Sequence, residues 1–279
     1  MKNIILLIFF IYGANSLNAQ YQAEVGARQG SMAGSGVILN DIWSSFHNQA
    51  GLADLNGLSV GLFYSSVFNE PDLRETAFAF ALPTEKFGSA GINYTYSGNS
   101  ASNFSKFGLS YSKKLAKRLS AGIQLDYFRH AQMNYGNTGA AVGEIGLIAE
   151  PVDNLFIAAH VFNPWRAKYN YIDEPLETIF RLGTGYYFSD KVVIMLEAEK
   201  ETDHDVVIRA GTEYNLLEGL YLRAGAAVNP VKYSFGLGYK YRGIGLDVAY
   251  ISHEFLGYYM QFGLGYSLNK MKKTEDKED

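Results

Sequence analysis

The chain has 279 residues, and its 24 Lys and Arg against 28 Asp and Glu give a formal net charge of −4. That balance argues against the basic surface of a typical nucleic-acid-binding protein, so no nucleic-acid partner is expected. The absence of Cys excludes disulfides, thiolate metal sites and cysteine nucleophiles. The 21 Tyr, 18 Phe and 29 Gly instead indicate many strands with aromatic residues on one face and small residues on the other.

The first residues have the pattern of a secretory signal peptide. Lys2 precedes an apolar run from Ile4 to Ile11, and Ala19 ends a short polar stretch. A basic start, a short apolar core and a small residue before the cleavage site are typical of such a signal. A transmembrane helix needs about 20 apolar residues, which this stretch does not have. We therefore expect residues 1–19 to be a signal peptide that is removed on export.

Residues 57–268 alternate between apolar and small or polar side chains, which is the period of a β-strand. In the last segment, for example, Phe262, Leu264 and Tyr266 alternate with Gly and Ser. The pattern predicts fourteen strands. They lie near residues 57–68, 72–82, 88–97, 103–112, 118–130, 139–150, 154–162, 177–188, 190–200, 204–214, 219–228, 231–241, 243–252 and 255–268.

The lengths of these segments favour a membrane barrel. A tilted membrane-spanning strand needs about 9–11 residues, and the short connections leave no room for crossover helices. A soluble β-sandwich or propeller is the alternative, but its strands would be shorter and its solvated face richer in charged residues. We predict an all-β fold, a 14-stranded antiparallel transmembrane β-barrel with outer-membrane lipid around it.

The connections predict the orientation of the barrel. An even number of strands places both ends of the barrel on the same side, and outer-membrane barrels have short periplasmic turns and longer outer loops. The longest predicted outer loop covers residues 163–177 and carries Trp165, Tyr169 and Tyr171, which we expect to form a surface loop or partner contact. Residues 269–279 are charged without an apolar period, and we expect a polar periplasmic tail.

Residues 20–56 do not alternate, and they carry a series of short motifs. The predicted motif residues are Gly26, Arg28, Gly34, Asp41, Asn48, Ala50 and Gly51. In order and spacing they resemble the N-terminal segment of the FadL-like outer-membrane barrels, including the PorV-like branch of Bacteroidetes. That family has Asn-Pro-Ala-Gly-Leu where this chain has Asn48-Gln49-Ala50-Gly51-Leu52.

The resemblance implies that residues 20–56 form a hatch inside the lumen of the barrel. Gly residues in the segment and in the wall would let the two backbones approach closely. The predicted inward positions carry charges of both signs, for example Glu144, Arg209 and Glu213. We expect them to form paired networks.

We expect neither an enzyme nor a cofactor protein. The five His residues lie outside any recognisable spacing for a catalytic or metal site, so catalytic residues and metal ligands are predicted to be none.

Two functions are consistent with the resemblance. The one we favour from sequence is an accessory subunit of a larger outer-membrane protein complex, either a type IX secretion translocon or a barrel-assembly complex. Its short loops, filled lumen and Tyr-rich wall would suit contact with a partner. The alternative is a passive FadL-like transporter of hydrophobic small molecules.

Overall fold

The computed structural model describes residues 24–66, 73–84, 86–170, 175–254 and 257–268. The predicted signal peptide and tail lie outside these residues. We call residues 24–56 the N-terminal segment, and it contains helices and no strand. Its helix α1 is Ala27–Gly30, its helix α2 is Ser44–His47, and a 3-10 helix covers Gln49–Asp54. No helix among the described residues is long and apolar enough to cross a membrane.

The rest of the described chain forms fourteen strands. They are β1 Ser59–Ser66, β2 Arg74–Thr84, β3 Gly88–Gly98, β4 Ser102–Ala116, β5 Leu119–Gln132, β6 Gly136–Val152, β7 Leu155–Phe162, β8 Ile179–Ser189, β9 Val192–Glu201, β10 Val207–Leu217, β11 Leu220–Val228, β12 Lys232–Tyr241, β13 Ile244–His253 and β14 Gly257–Ser267. Every predicted strand is present. The clearest difference is that β4 and β6 are longer than their alternation indicated.

The strands pair in sequence order, each antiparallel to the next, and β1 pairs with β14 to close the ring. The predicted all-β fold of fourteen antiparallel strands is confirmed. We call one end of the barrel the turn end. It carries six connections of two or three residues each, namely β2–β3, β4–β5, β6–β7, β8–β9, β10–β11 and β12–β13. The other end, the loop end, carries the remaining connections, including the long one between β7 and β8.

Burial follows the alternation along the strands. In β14, for example, Tyr258, Met260, Phe262 and Leu264 are exposed while Gln261 is buried. The exposed set around the ring is mostly Leu, Ile, Val, Phe and Tyr. Such a wall is apolar on its outer face and polar on its inner face, as in barrels that are surrounded by lipid.

The N-terminal segment packs against the inward faces of strands on opposite sides of the ring. The backbone N–H of Ala33 donates to Ser234 Oγ on β12 at 2.7 Å, and Asn48 Nδ2 donates to the Leu147 carbonyl on β6 at 3.1 Å. Most of the segment is buried, including Met32, Leu39 and Leu52. The core of the molecule therefore lies between this segment and the wall.

Candidate functional site

A cavity of about 180 Å³ opens between the N-terminal segment and the loop end of the barrel, and we call it the loop-end cavity. Its apolar lining comes from six elements, because Phe46 lies on α2 and the other residues lie on β4, β5, β7, the β7–β8 loop and β8. These apolar residues are Phe46, Phe104, Phe128, Phe162, Tyr169, Leu176 and Ile179.

Aromatic rings set the shape of this cavity. Phe128 and Phe162 meet edge to face, with their ring centroids 5.7 Å apart and their planes at 77°. Lys106 Nζ lies 5.5 Å from the Phe46 ring centroid and 5.8 Å from that of Phe128. These are cation–π distances, so the ammonium group sits among ring faces.

The charged groups in the lining are already paired with protein groups. Arg181 Nε lies 2.6 Å from Glu199 Oε2, and Arg209 Nη2 lies 2.8 Å from Glu199 Oε1. Lys106 Nζ lies 3.3 Å from Glu144 Oε1. The predicted paired networks are present among the described residues. A ligand in this cavity would meet neutralised charges and aromatic surface.

The N-terminal segment forms the floor of the cavity, and glycines in the wall let it approach. A β-carbon added at Gly225 would lie 2.3 Å from the carbonyl carbon of Met32, and one at Gly122 would lie 2.4 Å from the amide nitrogen of Ala50. Real β-carbons do not come that close to backbone atoms. Glycine is therefore required at both wall positions for this packing.

Arg28 connects the segment to β10. Its Nε and Nη2 donate to the two oxygens of Glu213 at 2.8 and 2.7 Å, and its Nη1 donates to Asp41 Oδ2 at 2.9 Å. Glu213 also accepts from Arg223 Nε at 2.6 Å. A two-bond contact of this kind fixes orientation as well as charge.

Burial and neighbouring charges shift the pKa values of three ionisable groups in the N-terminal segment. Burial alone would lower the pKa of Arg28, but Glu213 and Asp41 outweigh it and raise the pKa well above its ordinary value. Burial would raise the pKa of Glu24, but Lys232 and Arg209 lower it overall. Burial, helped by the charge of Arg181, lowers the pKa of His47. His47 is thus held neutral while its Nε2 lies 2.7 Å from the Val25 carbonyl oxygen.

The motif residues predicted from sequence come together in this segment. Arg28 pairs with Asp41, and Asn48 bonds to the Val37 and Leu147 carbonyl oxygens while accepting from the Ala50 N–H. A β-carbon at Gly51 would lie 2.3 Å from the Leu39 carbonyl oxygen.

The two remaining motif glycines have left-handed backbone. Gly26 has φ 109° and Gly34 has φ 86°, a region that L side chains rarely adopt. Their role in function stays a prediction.

The residues that the sequence predicts for a surface loop or partner contact do not lie on one surface. Trp165 lies over Gly143 of β6, where an added β-carbon would be 2.0 Å from Cη2 of the indole ring. It is 57% exposed. Tyr169 instead lines the loop-end cavity, so it faces the opposite way from a surface contact. Tyr171 lies outside the described residues.

The cavity phenylalanines were not identified as site residues from sequence. Phe104, Phe128 and Phe162 occupy inward positions near the loop ends of three strands, in phase with the buried Lys106, Asp126 and His160. Large apolar rings on the polar face are the signal that sequence analysis could have used.

A second cavity of about 400 Å³ lies at the turn end, on the other side of the segment. Arg28, Asp41, Trp43, Lys240 and Asp247 are among its lining residues. The segment thus separates two cavities, and Arg28 borders the second. Among the described residues, no group of three or more His, Asp or Glu is placed to hold a metal ion.

Comparison with known proteins identifies the fold. The Pseudomonas putida toluene transporter TodX superposes with a TM-score of 0.64 at 13% identity, covering 88% of this chain and 98% of TodX. The deltaS2 mutant of the TodX monoaromatic hydrocarbon channel gives 0.66 at 12% identity, covering 90% and 100%. A Pseudomonas aeruginosa FadL homologue gives 0.63 at 11% identity, covering 89% and 99%.

At these identities the likeness defines the class of fold, a closed barrel of the kind found in outer-membrane channels. No protein-family model matches the sequence, and no curated protein matches it.

Proposed function

We propose that this chain is a passive outer-membrane transporter of small hydrophobic molecules, and that the loop-end cavity is its binding site. The proposal rests on the loop-end cavity, which lies beside the N-terminal segment. The cavity is lined by aromatic rings and by charged groups that are paired with one another. Binding sites for small molecules are commonly concave and mostly apolar, with a few fixed polar groups.

The size of the cavity favours a compact ligand. An apolar protein cavity of about 150 Å³ is large enough for benzene, and the loop-end cavity measures about 180 Å³. The similar structures include a toluene transporter and a monoaromatic hydrocarbon channel. A single-ring hydrocarbon is therefore the ligand class to test first.

In this proposal residues 20–56 act as a hatch in the lumen. Support comes from residues 24–56, which contact both sides of the wall and separate the loop-end cavity from the turn-end cavity. Passage would require the segment to shift, and Arg28, which borders the turn-end cavity, ties the segment to Glu213 of β10.

The location and orientation also belong to the proposal. An apolar outer wall and similarity to outer-membrane channels support placement in the bacterial outer membrane. The turn end, where β1 begins and β14 ends, would face the periplasm because short turns occupy that side in such barrels. The predicted export signal over residues 1–19 and the predicted periplasmic tail over residues 269–279 belong to the same proposal.

The accessory-subunit function, favoured from sequence, has less support. Of the similar structures reported above, one is described as a transporter and one as a channel, and none is described as a subunit of a secretion machine. A PorV-like role and a larger complex as partner therefore take second place to transport.

The proposal can be tested by a substitution that fills the loop-end cavity with a larger side chain. Thr95 is buried on the cavity wall, whereas Thr184 is exposed on the outer face of β8. We expect Thr95→Trp to abolish uptake of labelled toluene by cells that carry the barrel, and Thr184→Trp to leave uptake unchanged. Toluene binding to the purified barrel should follow the same order.

Two results would overturn this function. One is full uptake by Thr95→Trp in a folded barrel. The other is a mild-detergent pulldown in which the wild-type chain is recovered without ligand and in fixed ratio with a large membrane partner, which would restore the accessory-subunit function.

A further inference from the structure

Positive charge is concentrated on one part of the turn end. Two neighbouring turns, β2–β3 and β4–β5, together with the end of β4, carry five basic residues: Lys86, Lys113, Lys114, Lys117 and Arg118. The sequence has one acidic residue in these turns, at position 85. The other four turns do not repeat the pattern: counted with the last four residues of the preceding strand, none has more than two basic residues, whereas the β4–β5 turn has four.

Part of this charge is matched by acidic residues. Lys114 pairs with Asp54, and Arg118 pairs with Asp153. Within the described part of the chain, no carboxylate forms an ion pair with Lys86, Lys113 or Lys117. Positive charge is therefore left over on this part of the rim.

The β2–β3 turn is held firmly against β4. Thr84 Oγ1 donates to the Gly88 carbonyl oxygen at 2.7 Å and accepts from the Phe87 N–H at 3.1 Å. Tyr111 Oη on β4 donates to the Phe87 carbonyl oxygen at 2.7 Å. A β-carbon at Gly88 would lie 2.3 Å from the Ser112 carbonyl oxygen, so the turn sits directly beside Lys113.

The lysines border a cavity of about 310 Å³, which we call the lysine cavity. Lys86, Lys113 and Lys114 line it, with Pro83 and Leu55. A water molecule occupies about 30 Å³ of liquid volume, so the cavity has room for a phosphate group and its bound water. Ammonium groups bind phosphate as point charges.

Apolar side chains surround this charge on the outer wall. Phe87 is 75% exposed, Leu115 is 61% exposed and Leu82 is 46% exposed. Cationic groups next to an exposed apolar surface match a molecule that has an anionic head and hydrocarbon chains. Near a membrane surface each Lys contributes about 1 kcal/mol of attraction to anionic lipid, which is about a fivefold change in affinity.

We propose that the lysine cavity binds the phosphate headgroup of an anionic phospholipid, whose acyl chains lie along Leu82, Phe87 and Leu115. This site is separate from the loop-end cavity and does not depend on transport. If the turn end faces the periplasm, the lipid would belong to the inner leaflet.

The test counts bound lipids on the intact barrel by native mass spectrometry, with phosphatidylglycerol and phosphatidylcholine supplied in equal amounts. The test variant is Lys86→Gln with Lys113→Gln. The matched control is Lys191→Gln with Arg242→Gln, which removes two charges from other turns of the same end. Heat-dependent gel migration checks that each barrel is folded.

We expect the wild-type chain and the control to retain phosphatidylglycerol over phosphatidylcholine by about fivefold or more, and the test variant to retain the two equally. Equal retention of phosphatidylglycerol by the test variant and the wild type would overturn the proposal. So would an equal loss in the control, which would indicate a general charge effect. Displacement of the lipid by millimolar inorganic phosphate would overturn a lipid site in favour of a free-anion site.

Discussion

The N-terminal segment meets two sides of the barrel in different ways. On the β9–β13 wall its contacts include ion pairs of Arg28 with Glu213 and of Glu24 with Lys232, beside close packing against glycines such as Gly225. On the β3–β6 wall they are amide and backbone contacts, such as Asn93 Nδ2 to the Ser45 carbonyl oxygen at 3.2 Å. Asp54 adds an ion pair with Lys114 on that side, and it also accepts from Ser120 Oγ at 3.1 Å.

The difference indicates where a moving segment would separate first. Charged partners regain hydration when water enters between them, so opening such a contact costs little net free energy. A closely packed contact against glycine gains nothing comparable from water and leaves an empty space. Such glycine contacts occur on both walls, for example at Gly225 on β11 and at Gly122 on β5. We therefore expect the ion pairs of the β9–β13 wall to separate before the glycine contacts of either wall.

Removing one partner of an ion pair by mutation is different from opening the contact. We expect this removal to have the largest effect on the free energy of unfolding. Arg28→Met leaves the buried Glu213 and the half-buried Asp41 without this cation, although Arg223 still bonds to Glu213. The free energy of unfolding should fall by about 3–5 kcal/mol, measured by urea denaturation in lipid vesicles. Arg129→Met, at an exposed arginine, is the control. A loss equal to that of the control would show that the charged side does not hold the segment.

A substitution at a wall glycine that packs against the segment should have an intermediate effect on the free energy of unfolding. Gly122→Ala would place a β-carbon 2.4 Å from the Ala50 amide nitrogen, whereas the nearest atom at Gly245 is 3.6 Å away. We expect Gly122→Ala to lower the free energy of unfolding by about 1–3 kcal/mol through overpacking. Gly245→Ala should change it little in the same denaturation experiment. Equal effects at the two positions would contradict close packing against β5.

The smallest effect concerns pH. The pKa of His47 is lowered from 6.5 in the folded chain, so the unfolded chain binds a proton first as the pH falls. The stability that neutral His47 contributes is therefore complete above pH 6.5 and declines as the pH falls towards its folded pKa. His47→Gln, which keeps a donor for the Val25 carbonyl oxygen, should show a weaker dependence of stability on pH between 7 and 5. Parallel pH curves for the two proteins would rule out this role.

Much of the fold could be predicted from sequence because alternation is a local property. Strand number and inward positions follow from which residues share a phase, and the lumen charges Glu144, Arg209 and Glu213 were placed in this way. The extra length of β4 and β6 was missed, since their ends lack the apolar period. Strand ends depend on hydrogen bonding to neighbours, which the alternation does not record.

The candidate site was less accessible from sequence. The motif marked Arg28 and Asp41, but their partner Glu213 lies 185 residues from Arg28, and the stagger between strands decides which wall residue they meet. The same holds for Phe104, Phe128 and Phe162, whose shared cavity depends on barrel closure. Tyr169 lies in an irregular loop, where no periodicity assigns a direction to its side chain.

The glycines of the wall also constrain how the chain can evolve. At Gly122, Gly146, Gly211, Gly225 and Gly236, an added methyl group would run into the inner segment. A barrel that lost this segment would be free to accept alanine at these positions. Once it had done so, the segment could no longer return to the same place. Loss of the inner segment would thus become irreversible through substitutions that are individually neutral in the emptied barrel.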